Sequence, residues 1–466
     1  MKLATRSVAQ PSLVAKAVAL AIGTSFCGIA AAQSTADLLK ELDALKKRVA
    51  ELEAKQKAEP AKPAAAQWGM TPEQAAEFNR ISVKTEAMED ARDASGLKGL
   101  TISGYIDPVF IYNKNQNRAG FQLLNGIGDG GFNYDNSFFG QASIDFTKET
   151  DSGTRWRLTL TPNRGLGAGI DSASIVHEAT VSVPLTDLQT RFIAGQMPDW
   201  SGYEYLPPTQ TKLITHNLLF DFTLPFTYTG AGMEITSGKW IAKGMLANMN
   251  ASKRNTGEKA PVIAYRVDYS RGEFQGFGFA GVHGKAANFR SDDVNPVTTL
   301  PYDTRDTAVN LFEVDGYFIR GDWTVQGQAS FGSQKNAAIA ADPITGDLRK
   351  AQWWGVSALA AYKVTPRLEA VARGDYINNK KNGGGLLGYS FADDLNGIGP
   401  DPLGDTEVGA NRTALTLGMN YLFNENTVFK AEYRLDRASQ PVFIDVKTGE
   451  YRKSNQLFGA SVVVSF

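Results

Sequence analysis

Asn455-Gln456-Leu457-Phe458-Gly459-Ala460-Ser461-Val462-Val463-Val464-Ser465-Phe466 closes the sequence. Phe458, Ala460, Val462, Val464 and Phe466 share one phase, while Gly459, Ser461, Val463 and Ser465 occupy the other. A period of two sends side chains alternately to opposite faces of a strand. The spacing therefore predicts a strand that runs to Phe466. The segment before it repeats the alternation with charge: Phe429, Ala431, Tyr433 and Leu435 point one way, and Lys430, Glu432, Arg434 and Asp436 the other. In water the charged face would be the outside. In a bilayer it must face an aqueous interior, because a cation against hydrocarbon costs about 2–4 kcal/mol at the midplane.

The same period begins at Leu100 and continues to the end. It predicts strands over 100–112, 136–149, 154–163, 174–184, 188–197, 227–236, 239–250, 260–270, 275–286, 308–319, 323–334, 351–363, 366–377, 412–423, 427–437 and 455–466. Their connections alternate in length. Turn-like pieces such as Thr236-Ser237-Gly238 and Arg320-Gly321-Asp322 are short, whereas 113–135, 198–226, 287–307, 378–411 and 438–454 are long and rich in Gly, Asn and Asp. Sixteen strands, an even number, with short turns at one end and long loops at the other, mark an all-β fold, an antiparallel transmembrane β-barrel over residues 97–466.

Before the barrel the sequence changes character. Lys2, Arg6 and Lys16 precede an apolar stretch that ends at Ala30-Ala31-Ala32, so residues 1–32 read as a secretory signal peptide. The single cysteine, Cys27, falls inside that segment, which leaves no disulfide and no Cys-ligated metal beyond it. Residues 33–57 hold a heptad block whose Leu38, Leu42, Leu45, Val49 and Leu52 form an a/d seam, a candidate oligomer interface. Residues 58–70 are an Ala/Pro linker. Over 71–96, Thr71-Pro72-Glu73-Gln74 provides an N-cap, a proline at the first helical position and a capping-box Gln, with Phe78, Ile81 and Met88 on one stripe of the helix that follows. The formal net charge of −1 becomes about −4 once the three leader cations are removed, which is no footprint for nucleic acid.

A heptad helix, an Ala/Pro linker and sixteen strands ending in Phe466 resemble the trimeric porins of Gram-negative outer membranes, closest in layout to substrate-selective porins with a periplasmic coiled coil. Trp68-Gly69-Met70-Thr71-Pro72-Glu73 and Thr215-His216-Asn217-Leu218-Leu219-Phe220-Asp221-Phe222 resemble, more specifically, a proteobacterial family known only as a domain of unknown function. The porin resemblance implies a Sec-exported homotrimer in the outer membrane, in contact with lipid and lipopolysaccharide. Its terminal strand, ending at Phe466, would be read by the barrel assembly machinery. The implied function is passive diffusion of small hydrophilic solutes, with ion transport included. No cofactor, metal or catalytic residue is expected.

In porins the third external loop folds inward and narrows the lumen. Here that loop is 198–226, and it carries the candidate constriction residues Asp199, Glu204, Lys212, His216 and Asp221. Strand phase turns Arg155, Arg157, Arg191, Arg266, Arg373 and Arg434 toward the lumen as a candidate pore wall, with Asp107, Asp145, Glu178, Asp268, Glu313 and Asp375 interleaved. With signs mixed, such a wall either only solvates the lumen and pairs across strands or confers a weak anion preference. His177 is in phase with Ala179, Val181 and Val183 on the apparent lipid face, which suggests either a subunit interface or a place near the headgroup level. Gly126-Ile127-Gly128-Asp129-Gly130-Gly131 lacks a following helix and reads as a surface loop rather than a nucleotide site. Two alternatives stand beside the channel: an envelope tether through peptidoglycan contact, and a barrel enzyme, for which no Ser/His pairing is evident.

Overall fold

A computed structural model describes residues 46–47, 70–123, 140–162, 175–254, 256–259, 261–288, 290, 293–302, 305–387 and 390–466. The leader 1–32, the heptad positions Leu38, Leu42, Leu45, Val49 and Leu52, the linker up to residue 69 and the glycine run 126–131 lie outside the described residues. The chain divides into two compact units, residues 1–91 and 92–466.

The helix forms where the capping sequence placed it, as α1, Pro72–Ala94, all but its last three residues in the first unit. Its capping box is complete: the Gln74 amide donates to Thr71 Oγ1 at 3.3 Å and the Thr71 amide donates to Gln74 Oε1 at 2.9 Å. None of its residues is buried, and Phe78, Ile81 and Met88 are all exposed.

The second unit is a closed antiparallel barrel of sixteen spanning strands. The first, β1, has two segments, Leu100–Ile106 and Val109–Asn113. There follow β2 (Ala142–Glu149), β3 (Arg155–Leu160), β4 (Val176–Pro184), β5 (Thr190–Pro198), β6 (Thr227–Ser237), β7 (Trp240–Met249) and β8 (Val262–Ser270). The second half comprises β9 (Gln275–Ala287), β10 (Asp306–Arg320), β11 (Trp323–Gln334), β12 (Ala351–Lys363), β13 (Leu368–Asn378), β14 (Arg412–Asn424), β15 (Thr427–Ala438) and β16 (Ser454–Ser465). Each strand pairs with its sequence neighbour, and β16 closes the ring on β1 with Tyr105 opposite Ser465 and Asn113 opposite Leu457. Phe466 exchanges backbone hydrogen bonds with Gly104 at 3.1 and 3.2 Å, so the ladder runs to the last residue.

β1 is interrupted at Asp107-Pro108, where the proline lacks an N–H for the ladder. Beyond it, β1 leaves β2 and pairs instead with a short strand, Arg118–Gln122. The tight turns follow the strand twist. Gly238 and Gly321 open two-residue connections with φ of 59° and 58°, the left-handed region that primed hairpin turns require.

Burial is inverted relative to a soluble barrel. On β15, Phe429 and Tyr433 are 44% and 42% exposed on the outer face, whereas Glu432, Arg434 and Asp436 are buried inside. Outer-face aromatics gather at both ends of the strands: Trp240 with Tyr269 and Trp323 with Tyr362, each 4.7 Å apart, near the short turns, and Trp354 with Tyr376 at 5.2 Å near the long loops. Two aromatic girdles bounding an apolar band are what a barrel in lipid needs. The apolar core sits inside the ring. There Leu218, Leu219, Phe222 and Leu224 of the loop after β5 pack on wall residues including Trp353, Ile377 and Val282.

Candidate functional site: a lumen divided by its third loop

The connection between β5 and β6 enters the barrel and lies against the wall formed by β12 to β15. It folds there because its sequence supplies a helix start at the right place. Asn217 caps the five-residue helix α2, Leu218–Phe222, its Oδ1 accepting from the Leu219 and Phe220 amides at 2.9 and 2.8 Å. Leu218, Leu219 and Phe222 are then buried toward the wall.

Charged groups on the wall hold the loop largely by its backbone. Arg373 on β13 donates to Glu204 at 2.8 Å and to the Thr215 and His216 carbonyls, each at 2.7 Å. Arg434 on β15 donates to the His216 carbonyl at 2.9 Å while pairing with Asp436. Glu432 accepts from the Ile214 amide (2.6 Å), the Thr215 amide (3.1 Å) and Thr215 Oγ1 (2.6 Å). Lys430 Nζ reaches the Pro208 and Thr211 carbonyls at 2.6 and 2.7 Å, and Lys212 pairs with Glu369 at 2.7 Å. Buried charges are tolerated only when paired and hydrogen-bonded. Here wall and loop satisfy one another, so releasing the loop would leave buried charges and amides on both sides without their partners.

The opposite half of the lumen stays open as a cavity of about 1410 Å³, lined by the first eleven strands, by Ser465 and Phe466 at the end of the chain, and by residues from both halves of the loop. A row of facing residues crosses its wall: Arg191 opposite Glu234, Glu234 opposite Lys243, Lys243 opposite Arg266, Arg266 opposite Ala280, and Ala280 opposite Glu313. The cations are matched. Arg157 pairs with Asp145 at 2.8 Å and Glu178 at 3.2 Å; Arg266 pairs with Asp268 and Asp315, each at 2.7 Å, and donates to the Trp200 carbonyl at 2.6 Å. Lys243 lies 4.7 Å over the Trp200 ring. Arg191 differs, donating to Ser182 and to the Gly153 carbonyl, each at 2.7 Å.

The loop's own ionisable groups are turned away from this cavity or neutralised. Asp199 accepts from Tyr228 Oη at 2.5 Å and from the Ser201 amide, and burial holds its carboxyl above the ordinary range. Glu204 faces Arg373, and Asp221 is fully buried 4.0 Å from Arg434. The His216 imidazole is pushed down to about 3, first by burial and then by the nearby Arg373, Lys430 and Arg434, against the Tyr205 carbonyl that accepts from its Nε2 at 2.8 Å. A neutral ring results, and Phe220 stacks on it at 4.1 Å.

Of the residues singled out by phase, Arg155, Arg157, Arg191 and Arg266 line the cavity, whereas Arg373 and Arg434 lie fully buried beneath the loop. His177 is not on the lipid face. Leu160 faces Val176 and Thr159 faces Glu178, so His177 is the extra residue of a bulge. The bulge sets it beside Glu178 against the cavity, buried, with the register of the lipid face resuming at Ala179. Period-two reading cannot see a bulge, since one added residue reverses the phase. Lys430, Glu432 and Asn217 were missed as loop anchors. The phase of β15 had put the first two inside, but no spacing rule says that they hold loop backbone 200 or so residues away.

An apolar belt outside, charges inside and a loop seated in the lumen define a porin-type sixteen-stranded barrel. Residues 77–466 match the family described as protein of unknown function (DUF3138), and the chain belongs to that family. No curated protein matches the sequence. The fold resembles the outer membrane channel DcaP of Acinetobacter baumannii, at 12% identity over 79% of this chain and 97% of that one, with a TM-score of 0.51. An anion-selective porin from Comamonas acidovorans aligns at 10% identity over 79% and 99% of the two chains (TM-score 0.47). The outer membrane protein OmpT of Vibrio cholerae aligns at 12% identity over 79% and 97% (TM-score 0.49).

Proposed function

We propose that this protein is an outer-membrane channel through which small hydrophilic solutes diffuse passively, assembled as a homotrimer in a lipopolysaccharide-containing membrane and without enzymatic activity. The observation that carries the reading is the half-open lumen: a polar, charge-lined cavity of about 1410 Å³ inside a barrel with an apolar exterior. Such a cavity is expected to hold water, since its wall offers donors and acceptors throughout. Selectivity for anions is weak on this reading. Arg157 faces two carboxylates and Arg266 three, whereas Arg191, opposite Glu234, spends its hydrogen bonds on Ser182 and the Gly153 carbonyl and supplies the residual positive potential. Reversal potentials under a salt gradient test both parts. Conductance steps with a small anion bias support the reading; a strong cation preference contradicts the assignment of Arg191.

A tethering role for residues 35–66 is the second reading. It is favoured by the sequence of that segment, a heptad seam followed by an Ala/Pro linker, which suits a tether. Deleting 35–66 discriminates: weakened envelope integrity with normal conductance supports a tether, and an unchanged envelope argues against one.

A further inference from the structure

One part of the open lumen is shaped as a recess. Gly276 and Gly278 lie on β9 between Arg266 and Asp268 of β8 and Asp315 and Tyr317 of β10. A Cβ at Gly276 would stand 2.9 Å from Tyr317 Cε1, and one at Gly278 would stand 2.5 Å from Asp268 Oδ1 and 2.7 Å from Arg266 Nη2. Both are closer than carbon atoms approach, so the glycines let the tyrosine ring and the ion pair lie flat on the wall. Any other residue would push them into the passage.

The loop supplies the other side of the recess. Tyr205 is 54% exposed and lines the same cavity as Arg266, Asp268, Asp315 and Tyr317. Its backbone is fixed by His216 on its carbonyl at 2.8 Å, and by Pro207-Pro208 just beyond. Gln141 adds a bond to the Leu206 carbonyl at 3.4 Å. The tyrosine is thus presented on a rigid mount.

The chemistry of the recess combines two phenol rings with a cluster that is nearly neutral. Along this wall Arg191, Lys243 and Arg266 stand against Glu234, Asp268 and Asp315, three cations to three carboxylates that line the cavity, while Glu313 lies fully buried 3.9 Å from Arg266 and is not part of the lining. An ion of either sign gains little from such a cluster. A ligand that both donates and accepts hydrogen bonds gains from each member, and an apolar ring face gains from the aromatics. We propose that this recess is a subsite for an uncharged polyhydroxylated ring, a sugar, with its C–H face on Tyr205 and its hydroxyls shared among Arg266, Asp268 and Asp315. The proposal rests on the channel reading for its purpose, but its binding is measurable without conduction.

The test is calorimetric titration of the intact, detergent-folded protein with maltose, with benzoate and putrescine as anionic and cationic probes. Maltose is expected to bind more tightly than either ion. Tyr205→Ala should weaken maltose by about tenfold, the loss of one stacking contact, while Tyr205→Phe keeps it within about twofold. Gly276→Ala, which displaces Tyr317 and leaves the loop untouched, should weaken maltose as well. No maltose binding, tighter binding of benzoate or putrescine, or wild-type affinity in both Tyr205→Ala and Gly276→Ala would overturn the subsite. Conductance of the wild-type protein is recorded separately: its absence would remove the channel reading while leaving the binding result intact.

Discussion

Glu432→Ala isolates the contact that most directly seats the loop. The Glu432 carboxylate, 2% exposed, is the acceptor for two buried amides, Ile214 and Thr215, and for the Thr215 hydroxyl. Removing it leaves the two amides with no acceptor, at about 1–3 kcal/mol each, while the hydroxyl can turn elsewhere. The loss is therefore about 2–6 kcal/mol in the equilibrium between seated and released loop, or roughly 30-fold to well over 1000-fold. The barrel itself should survive, because β15 keeps its full ladders to β14 and β16. Two assays read the loop alone. Trypsin should cut after Lys212, which in the wild-type protein is shielded by its pair with Glu369, and cleavage should leave the heat-modifiable electrophoretic mobility of the folded barrel unchanged. Open-channel noise should rise in parallel. Glu432→Gln, which keeps one acceptor oxygen, should fall between. A Glu432→Ala loop as resistant to trypsin as the wild type would refute the reasoning, since the wall would then not be what holds it.

Three further outcomes follow from the same geometry. Arg373→Met leaves Glu204 and Asp375 buried without their cation, so resistance to urea should drop by about 3–5 kcal/mol, and adding Glu204→Gln should recover part of it. The pH dependence has a definite sign. Above about pH 6.5 the His216 ring is neutral whether the loop is seated or released; below that, only the released loop takes up the proton, so seating weakens progressively from about pH 6.5 toward about 3. Channel noise should therefore be flat from about pH 7 to 8 and grow toward about pH 4.5, and His216→Gln should flatten the profile. Leu417→Arg places a cation mid-strand on the outer face of β14, where the leucine is 52% exposed; refolding into lipid vesicles should lose about 2–4 kcal/mol, and an unchanged yield would argue that this face does not meet hydrocarbon.

The ring of strands was legible because alternation over eight to fifteen residues is a long signal. β11 and β12 begin and end at the residues the phase predicted, Trp323–Gln334 and Ala351–Lys363. Losses came where one residue changes the count. The second strand runs from Ala142, with residues 136–139 of its predicted span outside the described residues, and the first bends at Asp107-Pro108, where alternation continues although the pairing partner changes. His177 shows the same limit at a bulge. At the site, the sequence located the loop and named its charges. It did not say that Glu204 and Asp221 turn into the wall, nor that Tyr205 is the side chain left facing the lumen. Those facts depend on contacts such as Glu204 with Arg373, which are 169 residues apart and leave no periodic trace.

The central claim is a conducting lumen. Purified protein reconstituted in a planar bilayer measures it directly. The account predicts discrete conductance steps with a reversal potential displaced only slightly toward anions. A correctly folded barrel that inserts and never conducts would contradict it.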